Sequence, residues 1–253
     1  MADKGAGNPL GLRREPKDTI QLTTWNVQGI VSCNKASNDH GFRRYIEAEN
    51  AHIVVLTEVH ETRATLESDL QFDFLRKLYP YRYWGHMCGV LSKIEPVDVT
   101  FGFPEGNALD KMEAASRAIT VEYKTVFVLG TYVPNSGANG SKLDRRRAWA
   151  KDFERHIRQL DPKKPVIWTG DFNVVVPDKD KDTGRDKVNL SLDLEKPSMC
   201  FTSQQPGTHP LEIQWHKELI ERKPDARNPR RPSADPIFVD VWRLIHPKGR
   251  EFT

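Results

Sequence analysis

The chain has 253 residues, and its 38 Lys and Arg against 35 Asp and Glu leave a formal net charge of +3. That length suits a single α/β domain, and the charge balance neither demands nor excludes nucleic acid, whose strong binders carry a clear basic face. Cys33, Cys88 and Cys200 form neither a disulfide framework nor a zinc site, no apolar run approaches the ~20 residues of a membrane helix, and the N-terminus is too polar for a signal peptide.

Residues 1–18 are polar, contain Gly and Pro, and read as a disordered arm; residues 19–253 are expected to form the folded domain. The segment Ile20-Gln21-Leu22-Thr23-Thr24-Trp25-Asn26 alternates like a strand and ends in Asn before Gly29. Trp25 reads as core behind Asn26. Residues 42–49 predict a short helix. The run Ile53-Val54-Val55-Leu56-Thr57 then predicts a buried strand that ends in a carboxylate, Glu58. His86, beside Trp84 and Gly85, is read as structural. Arg117 opens a strand over residues 118–123.

The strand Phe127-Val128-Leu129-Gly130-Thr131-Tyr132 delivers a phenol, and the following Pro134-Asn135 adds an amide in a stiffened loop. Residues 144–160 predict an amphipathic helix, with Trp149, Phe153, Ile157 and Leu160 on one stripe and Arg145, Arg146 and Arg147 read as a solvated face. The segment Val166-Ile167-Trp168-Thr169-Gly170-Asp171-Phe172-Asn173 reads as a buried strand, a Gly and a polar pair. Side chains two apart on extended backbone point the same way, so Asp171 and Asn173 are expected to project together. An Asx turn is the plainer reading of that pair. Residues 177–197 are a charged loop lacking the Gly and Glu of an EF-hand. Residues 211–222 predict a helix, and 223–232, with three prolines and four basic residues, a stiff exposed stretch within a Pro/Arg-rich insertion near 203–233.

Open α/β sheets present ligands at the carboxyl ends of strands. Here Asn26, Glu58 and Asp171 each close a separate strand with an oxygen-bearing side chain, a set that suits Mg²⁺ or Mn²⁺ rather than zinc.

The order of Trp25-Asn26-Val27, Glu58, Tyr132-Val133-Pro134-Asn135 and Gly170-Asp171-Phe172-Asn173 resembles the endonuclease/exonuclease/phosphatase superfamily, most closely its exonuclease III-like AP endonucleases. Cys200-Phe201-Thr202 and the stretch from Phe238 to Pro247 resemble its later motifs. The resemblance implies a four-layer α/β sandwich of two packed mixed sheets flanked by helices. It implies a monomeric Mg²⁺-dependent phosphodiester hydrolase (Mn²⁺ as substitute) acting on abasic or nicked duplex DNA in base excision repair. The nucleus is the expected compartment, with cytoplasm or mitochondrion as alternatives.

By the same resemblance, Glu58 is the principal metal ligand with Asn26 beside it. Asp171 prepares the attacking water, Asn173 hydrogen-bonds the phosphate or the water, and Tyr132 stabilises developing charge or protonates the leaving group. Asn135 supports the phosphate site, and Arg117 contacts the phosphate or a carboxylate of the site. A retroelement-type endonuclease and an inactive remnant that binds nucleic acid are the alternatives.

Two departures stand out. Gln28 replaces the Asp or Asn expected after Asn-Val. The chain stops at Arg250-Glu251-Phe252-Thr253, where the family pattern continues with Trp, Arg-x-Asp and Ser-Asp-His. The corresponding expectation is a sandwich incomplete at its C-terminus, with little or no incision.

Overall fold

A computed structural model describes residues 19–35, 38–175, 207–220, 224–225, 228–232 and 238–246. The N-terminal arm, the charged loop at 177–197 and the motif at Cys200 lie outside the described residues.

In chain order, β1 (Leu22–Asn26) is followed by α1 (Ile30–Cys33), α2 (Gly41–Glu49), β2 (Ile53–Thr57), α3 (Arg63–Ser68) and α4 (Asp73–Leu78). Next come β3 (Tyr81–Trp84), β4 (Cys88–Ser92), β5 (Asp98–Phe101), α5 (Lys111–Arg117), β6 (Ala118–Glu122) and β7 (Phe127–Tyr132). The described chain continues with α6 (Leu143–Leu160), β8 (Val166–Asp171), α7 (Pro210–Ile220), β9 (Pro224–Asp225), β10 (Asn228–Pro232) and α8 (Val241–Ile245). Contacts divide it into two compact units. One runs to Val133 and includes Gln159–Phe172; the other comprises Pro134–Arg158 and the described residues from Asn173 onward.

The first unit is built on two mixed sheets, ordered β1-β2-β4-β3 and β5-β6-β7-β8. Pairing is parallel for β1 with β2 and for β7 with β8, and antiparallel elsewhere. The central strand β2 is buried throughout, which explains its unbroken apolar run. Its alternation serves two cores. Val54 and Leu56 pack with Phe42, Ile46, Phe72 and Leu75 of the helices on one face. Ile53 and Val55 pack with Val90, Ile119, Val121 and Val128 between the sheets. The sheets approach closely at Gly130, where an added Cβ would lie 2.8 Å from Val55 Cγ1.

Local signals set several boundaries. Thr62 caps α3 by accepting from Thr65 N–H, and Asp110 caps α5 by accepting from Glu113 N–H. Pro210 occupies the first position of α7, where its missing N–H costs nothing.

Two expectations are corrected, for β8 and for Arg117. The strand β8 is half-exposed, with Ile167 at 45%, because among the described residues it has one neighbour and sits at the end of its sheet. Arg117 ends α5 rather than opening β6. The 223–232 stretch contains the antiparallel pair β9 and β10.

In the second unit, the α6 stripe is buried as its spacing predicts, and Trp149 stacks on Phe153 with ring centroids 6.4 Å apart. Arg146 is buried too, contrary to the solvated reading, because it lies three residues before Trp149 on the same stripe. Its guanidinium lies 3.9 Å from Glu212 and over the Trp215 ring. Among the described residues, no helix is long and apolar enough to cross a membrane.

Candidate active site

The parallel pairs bring strand ends into register. Asn26 closes β1 opposite Thr57, the residue before Glu58, and Tyr132 closes β7 opposite Asp171, the last residue of β8. Stacking of the sheets then brings β1 and β2 against β8.

At that junction Asn26 Nδ2 donates to Glu58 Oε1 at 2.9 Å and to Asp171 Oδ2 at 2.8 Å. Carboxylates only accept, so the nitrogen of the amide must face them. The amide oxygen turns the other way and accepts from Gln28 N–H at 3.1 Å. Trp25, on the opposite face of β1, packs on Phe42 and Tyr45 and fixes the strand from behind.

The backbone around these groups is unusual. Gln28, Glu58 and His60 have φ of 47°, 52° and 56°, a left-handed region that costs a non-glycine residue energy. The bonds Gly29 N–H to Glu58 O (2.7 Å) and His60 N–H to His86 O (2.8 Å) hold the turns in place. Strain maintained this way aims a side chain, here the Glu58 carboxylate. Its second oxygen lies 3.5 Å from His60 Nε2. His60 was not singled out in the sequence; its two-residue spacing from Glu58 was the available signal. His86 is exposed, supplies that backbone acceptor and places its ring 6.1 Å from the His60 ring.

Tyr132 is 8% exposed, with the Arg117 guanidinium 5.1 Å from its ring centre. Arg117 is itself 9% exposed; Nε donates to Glu113 at 3.1 Å and Nη1 to Tyr132 O at 3.4 Å. One carboxylate it contacts belongs to α5, and its observed position braces Tyr132. Asp171 is fixed by register and by Val133 N–H, which donates to its carbonyl at 2.9 Å. The preceding Gly170 has φ 127°, and an added Cβ would lie 2.1 Å from Thr131 O, so no other residue fits where β8 meets β7.

Asn135 and Asn173 belong to the second unit. Asn173 has φ 47°, and β8 ends at Asp171, so strand alternation does not extend to it. Asn135 Oδ1 accepts from Gly137 N–H at 3.1 Å.

Glu58, Asp171 and Asn26 gather two negative charges around one amide, with oxygen as the only ligating atom. This donor set fits a hard divalent cation. Among the described residues no three His, Cys, Asp or Glu side chains form a metal cage, as a closed zinc site would.

The family described as Endonuclease/Exonuclease/phosphatase family matches residues 23–239. A DNA-(apurinic or apyrimidinic site) endonuclease of Dictyostelium discoideum is 34% identical over 171 residues, 63% of this chain and 44% of that protein. The DNA repair nuclease APEX1 of Danio rerio is 28% identical over 236 residues, 90% of this chain and 63% of that protein. The chain therefore spans about half to two thirds of the length of these relatives. The solved 3'-5' exonuclease (NExo) from Neisseria meningitidis superposes with a TM-score of 0.63 at 20% identity, covering 91% of this chain and 76% of that one. That likeness shows the fold, a four-layer α/β sandwich.

Proposed function

This chain belongs to the endonuclease/exonuclease/phosphatase family, and from that membership we propose that it is a Mg²⁺-dependent phosphodiester hydrolase that incises DNA at abasic sites in base excision repair. The observation that carries the reading is the bridge from Asn26 to both Glu58 and Asp171. Two acids held together at the meeting of two sheets are of little use to stability and well suited to phosphate chemistry.

In this reading Glu58 holds the cation, and Asn26 keeps the two carboxylates apart and aligned. The cation, when bound, neutralises charge on the phosphate. Asp171 accepts a proton from the attacking water, a contribution of roughly 10² to 10⁴ in rate. The Tyr132 hydroxyl donates toward the leaving oxygen, and Arg117 holds its ring and adds positive charge behind it. Asn173 and Asn135 supply amide N–H groups to the phosphate, roles that rest on the family resemblance. His60 stands beside Glu58, its Nε2 3.5 Å from the carboxylate.

The test is incision of an end-labelled duplex carrying a tetrahydrofuran abasic analogue, with Mg²⁺ and with chelator. Cleavage at the analogue that is lost on chelation is the expected result. Equal cleavage of undamaged duplex would favour the retroelement-type alternative, and no cleavage of either would overturn the nuclease reading.

A further inference from the structure

We propose that Glu212 is a positioning residue, a buried carboxylate that holds the Asn135 loop in its working shape; this rests on the phosphate-binding role proposed for Asn135. Glu212 lies in the first turn of α7 and is 0% exposed. Its carboxylate is surrounded by donors. Oε1 accepts from Ser136 N–H at 3.0 Å, and Oε2 accepts from the Ser136 hydroxyl at 3.0 Å, Gly207 N–H at 3.1 Å and His209 N–H at 3.3 Å. Arg146 balances the charge at 3.9 Å. Burial pulls the Arg146 pKa down to about 10, with Glu212 opposing, so the guanidinium stays charged at neutral pH.

Ser136 directly follows Asn135, so two of these bonds fasten the residue next to the amide. On the other side, the bond from Gly137 N–H to Asn135 Oδ1 closes an Asx turn. The oxygen of the Asn135 amide is thereby committed, and the N–H₂ group is what remains to meet a phosphate oxygen. Gly137 sits at φ 71° to complete the turn. Every group aimed at Glu212 is a donor. A carboxylate satisfies such a ring of donors, whereas an amide of the same size presents N–H to N–H.

The experiment compares the full chain with Glu212→Gln, Asn135→Ala and the double variant. It measures incision of the tetrahydrofuran duplex in Mg²⁺ and amide hydrogen exchange at Ser136 and Gly137. Glu212→Gln is expected to lower kcat by roughly 10- to 100-fold, in line with loss of a preorganised phosphate donor. In the Asn135→Ala background it should cost no more than about twofold, because the group through which it acts is gone. Exchange at Ser136 should rise by about tenfold or more while amides of β7 keep their protection. Losses that multiply in the double variant, or unchanged exchange at Ser136, would overturn the proposal. If the unmodified chain incises nothing, the nuclease reading fails by itself. Exchange at Ser136 then still decides whether Glu212 holds the loop.

Discussion

The side-chain amide of Asn26 donates to the carboxylate of Asp171 at 2.8 Å, joining the end of β1 to the end of β8 across 145 residues of chain. The same nitrogen reaches Glu58, so one neutral group separates two acids. A hydrogen bond to a charged acceptor is worth roughly 1.5–3 kcal/mol, and here two share one donor. Asn26→Ala is therefore expected to lower kcat/KM by about 10²-fold or more and to raise the Mg²⁺ concentration for half-maximal rate. Steady-state rates across a Mg²⁺ titration check this; an unchanged titration curve would remove Asn26 from the site.

Glu58 and Asp171 should respond differently to removal. Glu58→Ala takes away the proposed metal ligand, and excess cation is expected to restore part of the rate. Asp171→Ala takes away the proposed base, worth roughly 10² to 10⁴, and no cation concentration should restore it. Equal and small losses from both substitutions would contradict these assignments.

The Arg117 guanidinium lies over the Tyr132 ring, and the roles of the two residues separate by substitution. Tyr132→Phe keeps the ring under Arg117 and removes only the hydroxyl, so about 10- to 100-fold should be lost in kcat with the melting temperature preserved. Arg117→Met removes the guanidinium that donates to Glu113 and lies over the Tyr132 ring. Both stability and rate should fall. Thermal melts alongside kinetics distinguish the two patterns.

Acid should loosen the second unit through His216. Burial, with Arg146 nearby and Asp240 opposing, pulls the imidazole down to about 4 from an ordinary 6.5. The native state then binds fewer protons than the unfolded chain. This contribution is whole above about pH 6.5 and is lost as pH falls toward 4, at 1.36 kcal/mol per unit, roughly 3 kcal/mol in all. Urea unfolding from pH 7.5 to 4 should show a steeper decline for the unmodified chain than for His216→Gln. Parallel curves would mean that His216 does not titrate this way.

Gly170→Ala tests the junction of β7 and β8. Its φ of 127° and the 2.1 Å approach of Thr131 O leave no room for a methyl group. Backbone strain alone costs about 1–3 kcal/mol, and the clash adds to it. Low soluble yield or a melting temperature reduced by many degrees is expected; a native-like melt would show that the strands part easily here.

The strand ends at Glu58 and Tyr132 were legible in the sequence because β2 and β7, covered on both faces, are apolar runs that a polar residue closes, whereas Asn26 ends an alternating strand and Asp171 stood out by following Gly170. The α6 stripe was legible for a similar reason, since 3.6-residue spacing is a property of the chain itself. What the sequence could not hold is how separate ends meet. Parallel pairing of β1 with β2 and β7 with β8, followed by stacking of the sheets, brought Asn26 to Asp171, and acceptors on both sides turned its amide nitrogen inward. The position of β8 at the end of its sheet, among the described residues, exposed Ile167 despite the apolar composition of the strand. The left-handed backbone of Asn173 ended the alternation that composition suggested. Arg146 looked solvated because its partner, Glu212, is 66 residues away, and only folding brings a buried charge to the group that makes its burial tolerable.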